Sequence, residues 1–524
     1  MDRVERPRYD ARMTGAQRER LPALAATALA VAASLLAIAG YFVRASVLVS
    51  YPWDWSPDEG LYLDHARRLV QDPASLHARS FVPFPSAYGP LLLLLLAPFA
   101  SATTGALFAA RLVALGWTLA GTLAVFWLVR RDAPPLLALA ACALALAPLD
   151  LTFWHMLVRP DGLMLACLLL AAVALMPTAL APDRESLSAT RIALGTAALL
   201  AAVLAKATAV VHGAPLVLGW LLVDRRSALR LVFCVGVAGL AALLLLQWLT
   251  AGGFLWVNRI WSYHPSQSWL PAVVVRDFLA HAWPLLLLAL VSFLLAGRRR
   301  AALRDGAVLL VVGAVSVLPL ATKYGASWNY LVPAVPALAV LTARWWAGAG
   351  VVLGLPRPTA GAALLALAAL WLSVTRPFPL PTAEDARTAR AFYKFVADLA
   401  NEERGPILAV RPEYAYYHVG QPVEMEGSAL IHLAAAHAPG TERIEAGLEQ
   451  AKYSLLIWTW PLPETGRYRE AAFRSYPAAG GCKLGYYFGE VTATLLPRRD
   501  LFRPMQPQAG TRCGTSVDSQ KPAD

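Results

Sequence analysis

Residues 21–60 read LPALAATALAVAASLLAIAGYFVRASVLVSYPWDWSPDEG, and the meaning of this stretch decides the fold. Leu21–Val43 contains no charged residue; as a helix rising about 1.5 Å per residue it crosses a bilayer core of about 30 Å. Six arginines precede it within residues 1–20, and a loop dense in aromatic and acidic side chains follows it. The apolar run is too long for a signal-peptide core and lacks a clear cleavage site, so a retained first helix is expected.

The chain to about residue 375 is largely the same material. Of 524 residues, 58% are hydrophobic and 15% charged, against about 45–50% and about 25% in soluble domains. A second charge-free window runs from Leu231 to Gly252. These proportions exclude a soluble enzyme, a nucleic-acid-binding protein and a disordered chain. The net charge of +12 lies wholly in residues 1–375, with 29 basic and 17 acidic residues, whereas residues 376–524 hold 17 of each. Basic residues placed this way set topology and do not mark a polyanion partner.

Candidate spans fall at 22–43, 106–129, 134–149, 161–177, 191–205, 208–223, 229–250, 281–296, 305–321, 329–353 and 359–375. Residues 90–100 are also apolar but short for a crossing. Treating them as an interfacial helix and placing the N-terminus in the cytoplasm puts 18 basic residues inside, among them Arg130, Arg131, Arg225, Arg226 and Arg298–Arg300, and nine outside. Making that segment a crossing reverses every later cluster, against the positive-inside rule. The expectation is a polytopic α-helical membrane protein of about 11 crossings, with residues 1–375 as the membrane module and 44–105 as its first outer loop.

Residues 376–503 read as a small extracytoplasmic α/β domain. Strand-like runs occur at 406–410, 414–419, 453–458 and 486–496, and helical ones at 383–403 and 441–451. Residues 504–524, rich in Pro, Gln, Gly and Ser, have a disordered composition. Cys142, Cys167 and Cys234 sit in apolar runs as small core residues. Cys482 and Cys513 can pair if their domain faces outward.

With this topology the unusual polar residues collect on one face. The first outer loop holds Asp58, Glu59 and Tyr88; the next holds His155, Arg159 and Asp161. Lys206 and Lys323, the two lysines of residues 1–375, end spans on the same side. Arg259 and His264 lie in the loop 251–280, and Asn329 and Tyr330 follow Lys323. Each has a plain structural reading: acids starting a helix, an Arg159–Asp161 ion pair, snorkelling lysines, an interfacial tryptophan belt. Their shared side favours a site, because ionisable groups at membrane depth are costly unless they pair or face a cavity. A carboxylate there can take a proton from a hydroxyl, and neighbouring cations can hold a departing phosphate. No His/Cys/Asp spacing has metal specificity.

In order, Asp58-Glu59 after the first span, Tyr88-Gly89-Pro90-Leu91, Arg111-Leu112, Arg159-Pro160-Asp161-Gly162, Lys206-Ala207-Thr208, and Lys323-Tyr324-Gly325 through Asn329-Tyr330-Leu331 resemble the GT-C glycosyltransferases. The likeness is to the protein O-mannosyltransferase and aminoarabinose-transferase-like branch, glycosyltransferase family 39 and its relatives, over about residues 20–350. It implies a GT-C fold and inverting transfer of a sugar from a polyprenyl-phosphate donor to an extracytoplasmic acceptor, a membrane lipid or cell-envelope glycan. Abundant Ala, Leu and Arg with few Lys point to a GC-rich bacterial genome, with the plasma (inner) membrane as the default location.

By the same resemblance Asp58 is the candidate base, with Glu59 its neighbour or substitute. Arg159, Lys206 and Lys323 are candidates for the donor phosphate, and Asp161 for ordering the cavity. Tyr88, His155, Arg259, His264, Asn329 and Tyr330 complete the candidate substrate-binding set. Some GT-C branches use a divalent metal, and that cofactor is left open. The sequence departs from the aminoarabinose branch in having Tyr88-Gly89-Pro90 for Lys-Pro-Pro, and its outer domain lacks a β-trefoil pattern. The competing readings are a secondary transporter, for which no repeated halves are visible, a lipid-linked oligosaccharide ligase or polymerase, and a non-catalytic assembly subunit.

Overall fold

The computed structural model describes residues 15–53, 55–56, 59–71, 73, 76, 86, 88–100, 105–176, 186–261, 263, 266–296, 306–323, 327–378, 380–402, 407–409, 446, 450, 455–459, 480–486, 489–497 and 511–514. The membrane module runs α1 (Gly15–Ser50), α2 (Glu59–Gln71), α3 (Pro90–Leu96), α4 (Ala106–Arg130), α5 (Pro135–Leu146), α6 (Leu149–Thr152), α7 (Pro160–Leu175), α8 (Ala189–Ala205), α9 (Ala209–Leu218), α10 (Arg225–Leu249), α11 (Gly253–Trp261), α12 (Leu270–Ala296), α13 (Gly306–Ser316), α14 (Ala334–Trp346) and α15 (Arg357–Thr375).

Among the described residues five helical stretches are long and apolar enough to cross a membrane: Leu21–Ser50, Ala106–Arg130, Arg225–Leu249, Leu270–Leu294 and Arg357–Thr375. A sixth is the pair Pro135–Leu146 and Leu149–His155, bent by 70° where Pro148 interrupts the backbone ladder. Four further apolar helices are shorter, Pro160–Leu175, Ala189–Ala205, Ala209–Leu222 and Leu310–Thr322. The chain is a multi-pass membrane protein, but its spans are less uniform than the eleven expected. Helix α3, at seven residues, is about 10 Å long and too short to cross. Helix α12 starts at Leu270 rather than 281, because the exposed Arg276–Asp277 pair sits on helical turns and not in a loop.

Alanine lets the helices approach closely. In α1, Ala30, Ala33 and Ala37 are buried, and they share one core with Ala362, Ala366 and Ala369 of α15 and with Leu137, Ala138 and residues 140–146 of α5. A second core joins α2, α3, α4, α7 and α8. The site described below lies among the broken ends of the helices that separate the two.

Beyond α15, helix α16 (Ala383–Glu402) packs on a five-stranded sheet of order β3-β4-β6-β5-β7. Its strands are β3 (Ile407–Ala409), β4 (Leu455–Thr459), β5 (Gly480–Tyr486), β6 (Gly489–Pro497) and β7 (Cys513–Gly514), where β1 (Val351–Val352) and β2 (Leu355–Pro356) form a separate small hairpin before α15. β3 and β4 pair in parallel and the other pairs are antiparallel. The strand expected at 486–496 is one arm of a hairpin whose other arm, β5, has a glycine-rich sequence unfavourable to strands. The expected strand at 414–419 lies outside the described residues, as does nearly all of the helix expected at 441–451. Within the stretch expected to be unstructured, Cys513–Gly514 form β7, and Cys513 is disulfide-bonded to Cys482.

Candidate active site

Two buried polar clusters lie where α2, α4 and α7 begin and α8 ends. The first centres on Glu59, the first residue of α2. One of its carboxylate oxygens accepts from Arg111 Nε at 2.9 Å and the Val158 amide at 3.2 Å; the other accepts from Arg111 Nη2 at 2.6 Å and the amides of Trp55 and Ser56. Arg111 also donates to the carbonyls of Leu48, Tyr51 and Trp53. Both side chains are fully buried. Burial alone would raise the Glu59 carboxyl, but Arg111 and the backbone amides outweigh it and hold it below its usual value. Glu59 is thus a brace tying the loop after α1 to α4 and to the segment before α7. With no exposed oxygen, it is not the substitute base that the acidic pair suggested. Asp58 lies outside the described residues.

The second cluster centres on Asp161. Arg159 is the extended N-cap of α7 and Pro160 its first helical residue, a placement that preorganises the turn without losing a hydrogen bond. Asp161 therefore sits in the first turn, where the helix dipole favours a carboxylate. Its Oδ1 accepts from Lys206 Nζ at 2.7 Å and from Asn329 Nδ2 at 3.0 Å, and Arg159 Nε lies 3.7 Å from Oδ2. Lys206 is the extended C-cap of α8. Burial opposes its charge, but Asp161 more than compensates, so its pKa is raised and it stays an ammonium. Asn329 belongs to the 3₁₀ turn Trp328–Leu331, and its Oδ1 accepts from Ser327 Oγ at 2.8 Å, which turns its amide toward Asp161.

Aromatic faces back the two cations. Lys206 Nζ lies 5.0 Å from the Tyr330 ring centroid, and Arg159 Cζ 4.4 Å from that of Trp154. Arg159 Nη1 donates to Ser56 Oγ at 3.2 Å, joining the second cluster to the loop braced by the first. Tyr88 stands edge-on to Tyr62 and close enough to Lys206 to bear on its charge. The approach depends on Gly89: a Cβ there would lie 2.0 Å from the Leu204 carbonyl oxygen. Gly162 plays the same part under His155, where a Cβ would meet Trp117 Nε1 at 2.8 Å. His155 is buried, and its Nε2 has no hydrogen-bond partner among the described residues.

The structure therefore brings Tyr88, His155, Arg159, Asp161, Lys206, Asn329 and Tyr330 together. Arg259 is exposed on α11. Lys323 pairs its backbone with Ser266, and His264 lies outside the described residues. Among the described residues no group of three or more His, Cys, Asp or Glu is arranged to hold a metal. The sequence reading missed the role of Arg111, although a charged residue inside a span was the available signal. It also missed Trp154, Ser56 and the pair formed by His281 Nδ1 and Asp150 Oδ2 at 2.6 Å.

Solved structures share this architecture. ArnT from Cupriavidus metallidurans in the apo state is 14% identical over 92% of this chain and 100% of that one, with a TM-score of 0.56. The same protein bound to undecaprenyl phosphate is 14% identical over 90% and 99%, TM-score 0.52. The Archaeoglobus fulgidus oligosaccharyltransferase in the apo form is 13% identical over 92% of this chain and 75% of its own, TM-score 0.52. At such identities the likeness speaks for the fold, and the fold is GT-C. No protein-family model and no curated protein matches the sequence.

Proposed function

We propose that the chain is a membrane glycosyltransferase that moves a hexosyl or pentosyl unit from a polyprenyl-phosphate donor to an acceptor lipid or glycan on the outer face of a bacterial plasma membrane, with its N-terminus in the cytoplasm. The observation that carries this reading is the Arg159–Asp161–Lys206 cluster. Two cations share one carboxylate at the N-terminus of α7, leaving net positive charge where a phosphate would sit. Undecaprenyl phosphate bound to a protein of the same fold supports the same ligand class.

In the proposed reaction Asp58 accepts the proton of the acceptor hydroxyl. The hydroxyl oxygen bonds to the anomeric carbon from the face opposite the phosphate, and the carbon–oxygen bond to phosphate breaks with its electron pair leaving on polyprenyl phosphate. Arg159 and Lys206 hold that phosphate, while Asp161 and Asn329 fix the lysine. Lys323, Arg259 and His264 are proposed as outer contacts to donor or acceptor, and Tyr88, His155 and Tyr330 as walls of the donor site. The leaving group ionises near neutral pH, so no acid is needed on that side. No step is assigned to a metal.

The test uses membranes with matched amounts of wild-type protein or its Asp58→Asn and Lys206→Met variants, a panel of polyprenyl-phosphate sugars, and lipid and envelope extracts as acceptors. Wild type is expected to consume one donor and release polyprenyl phosphate. Asp58→Asn should lose at least about 100-fold in turnover, and Lys206→Met should weaken donor binding about 10-fold or more. Full activity of Asp58→Asn refutes the base assignment. No turnover of any donor refutes the reading, and uptake into vesicles then tests transport.

A further inference from the structure

The loop that follows α1 is gripped from two sides. From within the membrane module, Arg111 holds the carbonyls of Leu48, Tyr51 and Trp53, and Glu59 closes the loop at its far end. From the outer domain, Tyr393 of α16 stacks on Trp53 with ring centroids 4.8 Å apart and planes 15° from parallel. Tyr393 is itself buried, and its neighbour Phe392 is fully buried. Helix α16 is in turn fixed to the sheet: Arg512 pairs with Asp385 and Glu384, and Cys513, the next residue, is tied to Cys482. A continuous path of contacts thus joins the disulfide-bonded sheet to the stretch Trp53–Glu59, which contains Asp54 and Asp58.

We propose that Tyr393 is a positioning residue, through which the outer domain holds the loop bearing the acidic residues in a working geometry. It touches neither donor nor acceptor. It holds the ring of Trp53 while Arg111 holds the carbonyl of the same residue, so Trp53 is fixed through both its side chain and its backbone. The catalytic part of this inference rests on the reading of Asp58 as base; the mechanical part does not. Because one face of the clamp is a flat ring pair, phenylalanine suffices at 393, whereas a side chain without a ring does not. A displacement of about 1 Å at a reacting group is enough to slow a reaction about 100-fold.

The experiment compares the purified full-length protein with Tyr393→Phe, Tyr393→Ala and, from the opposite side of the contact, Trp53→Leu. Amide hydrogen exchange over residues 51–60 is measured alongside kcat and donor KM. Tyr393→Ala and Trp53→Leu are expected to speed exchange in that segment at least about 10-fold and to lower kcat about 100-fold, with donor KM changed less than about 3-fold. Tyr393→Phe is expected to match wild type in all three. Combining Tyr393→Ala with Trp53→Leu should be no worse than either alone, since both remove one contact. Unchanged exchange in both ring-removing variants overturns the clamp, and unchanged kcat with faster exchange overturns its catalytic role. If wild type turns over no donor, the glycosyltransferase reading fails while exchange still decides the clamp.

Discussion

Glu59 and Asp161 are both buried carboxylates at the start of a helix, yet their surroundings assign them different work. Glu59 meets one guanidinium and three amides and is saturated; Asp161 shares its charge between two cations and leaves one in excess. Removing one member of a buried pair strands the other's charge, a change that costs about 3–5 kcal/mol. Glu59→Gln is therefore expected to lower the thermal unfolding temperature of the detergent-solubilised protein markedly, and Arg111→Leu to do the same. The pH dependence has a definite sign. The folded-state pKa of Glu59 lies below its ordinary value of 4.5, so its stabilisation is complete above about pH 4.5 and is lost as pH falls through the lower folded value. Between pH 8 and 5 its contribution stays flat; a thermal midpoint that falls across that range in wild type but not in Glu59→Gln contradicts this assignment. Gly89→Ala tests steric fit: its Cβ would overlap the Leu204 carbonyl, so α3 must shift from α8, and weaker donor binding is expected to accompany the loss of stability.

At the scale of elements, the helices that carry the site are the short ones. Helix α7 begins at the site, α8 ends there, and a 3₁₀ turn carries Asn329. Interrupted backbone at membrane depth is tolerated where it lines a cavity or is buried in protein, so the breaks and the polar cluster belong to one feature. In the C-terminal sheet the weak strand β5 is held between β6 and β7 with the help of the Cys482–Cys513 bond, which closes a chain separation of 31 residues. By the chain-entropy relation such a loop is worth about 3–4 kcal/mol. Cys513→Ser should accordingly make the part carrying this sheet the first of the molecule to be cleaved in limited proteolysis, with the membrane helices intact.

At the scale of the whole molecule, the direction of insertion is the open prediction. Val351, on the small hairpin before α15, is exposed, and Arg276 is exposed on the early turns of α12. In a background carrying Cys234→Ala, a cysteine replacing Val351 is expected to react with an impermeant thiol reagent only from the cytoplasmic side, and one replacing Arg276 only from outside. The reverse pattern would invert the orientation and remove the proposed active site from the outer face.

Composition and charge spacing were enough to determine a multi-pass helical protein, the approximate position of its apolar stretches, and one face on which polar residues gather. Those properties follow from local physics: an uncharged run of sufficient length leaves water, and arginines stay on the cytoplasmic side. They also sufficed to pick out Arg159, Asp161, Lys206 and Asn329, because charge and amide at the ends of apolar runs are conspicuous one residue at a time. That Glu59 is bound was decided by the tertiary structure alone. Glu59 and Arg111 are 52 positions apart, and nothing in the spacing of the acidic pair reveals that one of its members is matched to a buried arginine. The Trp53–Tyr393 stack is likewise beyond any local signal. Contacts between distant segments depend on how α1, α4 and α16 pack, and packing is a property of the folded whole.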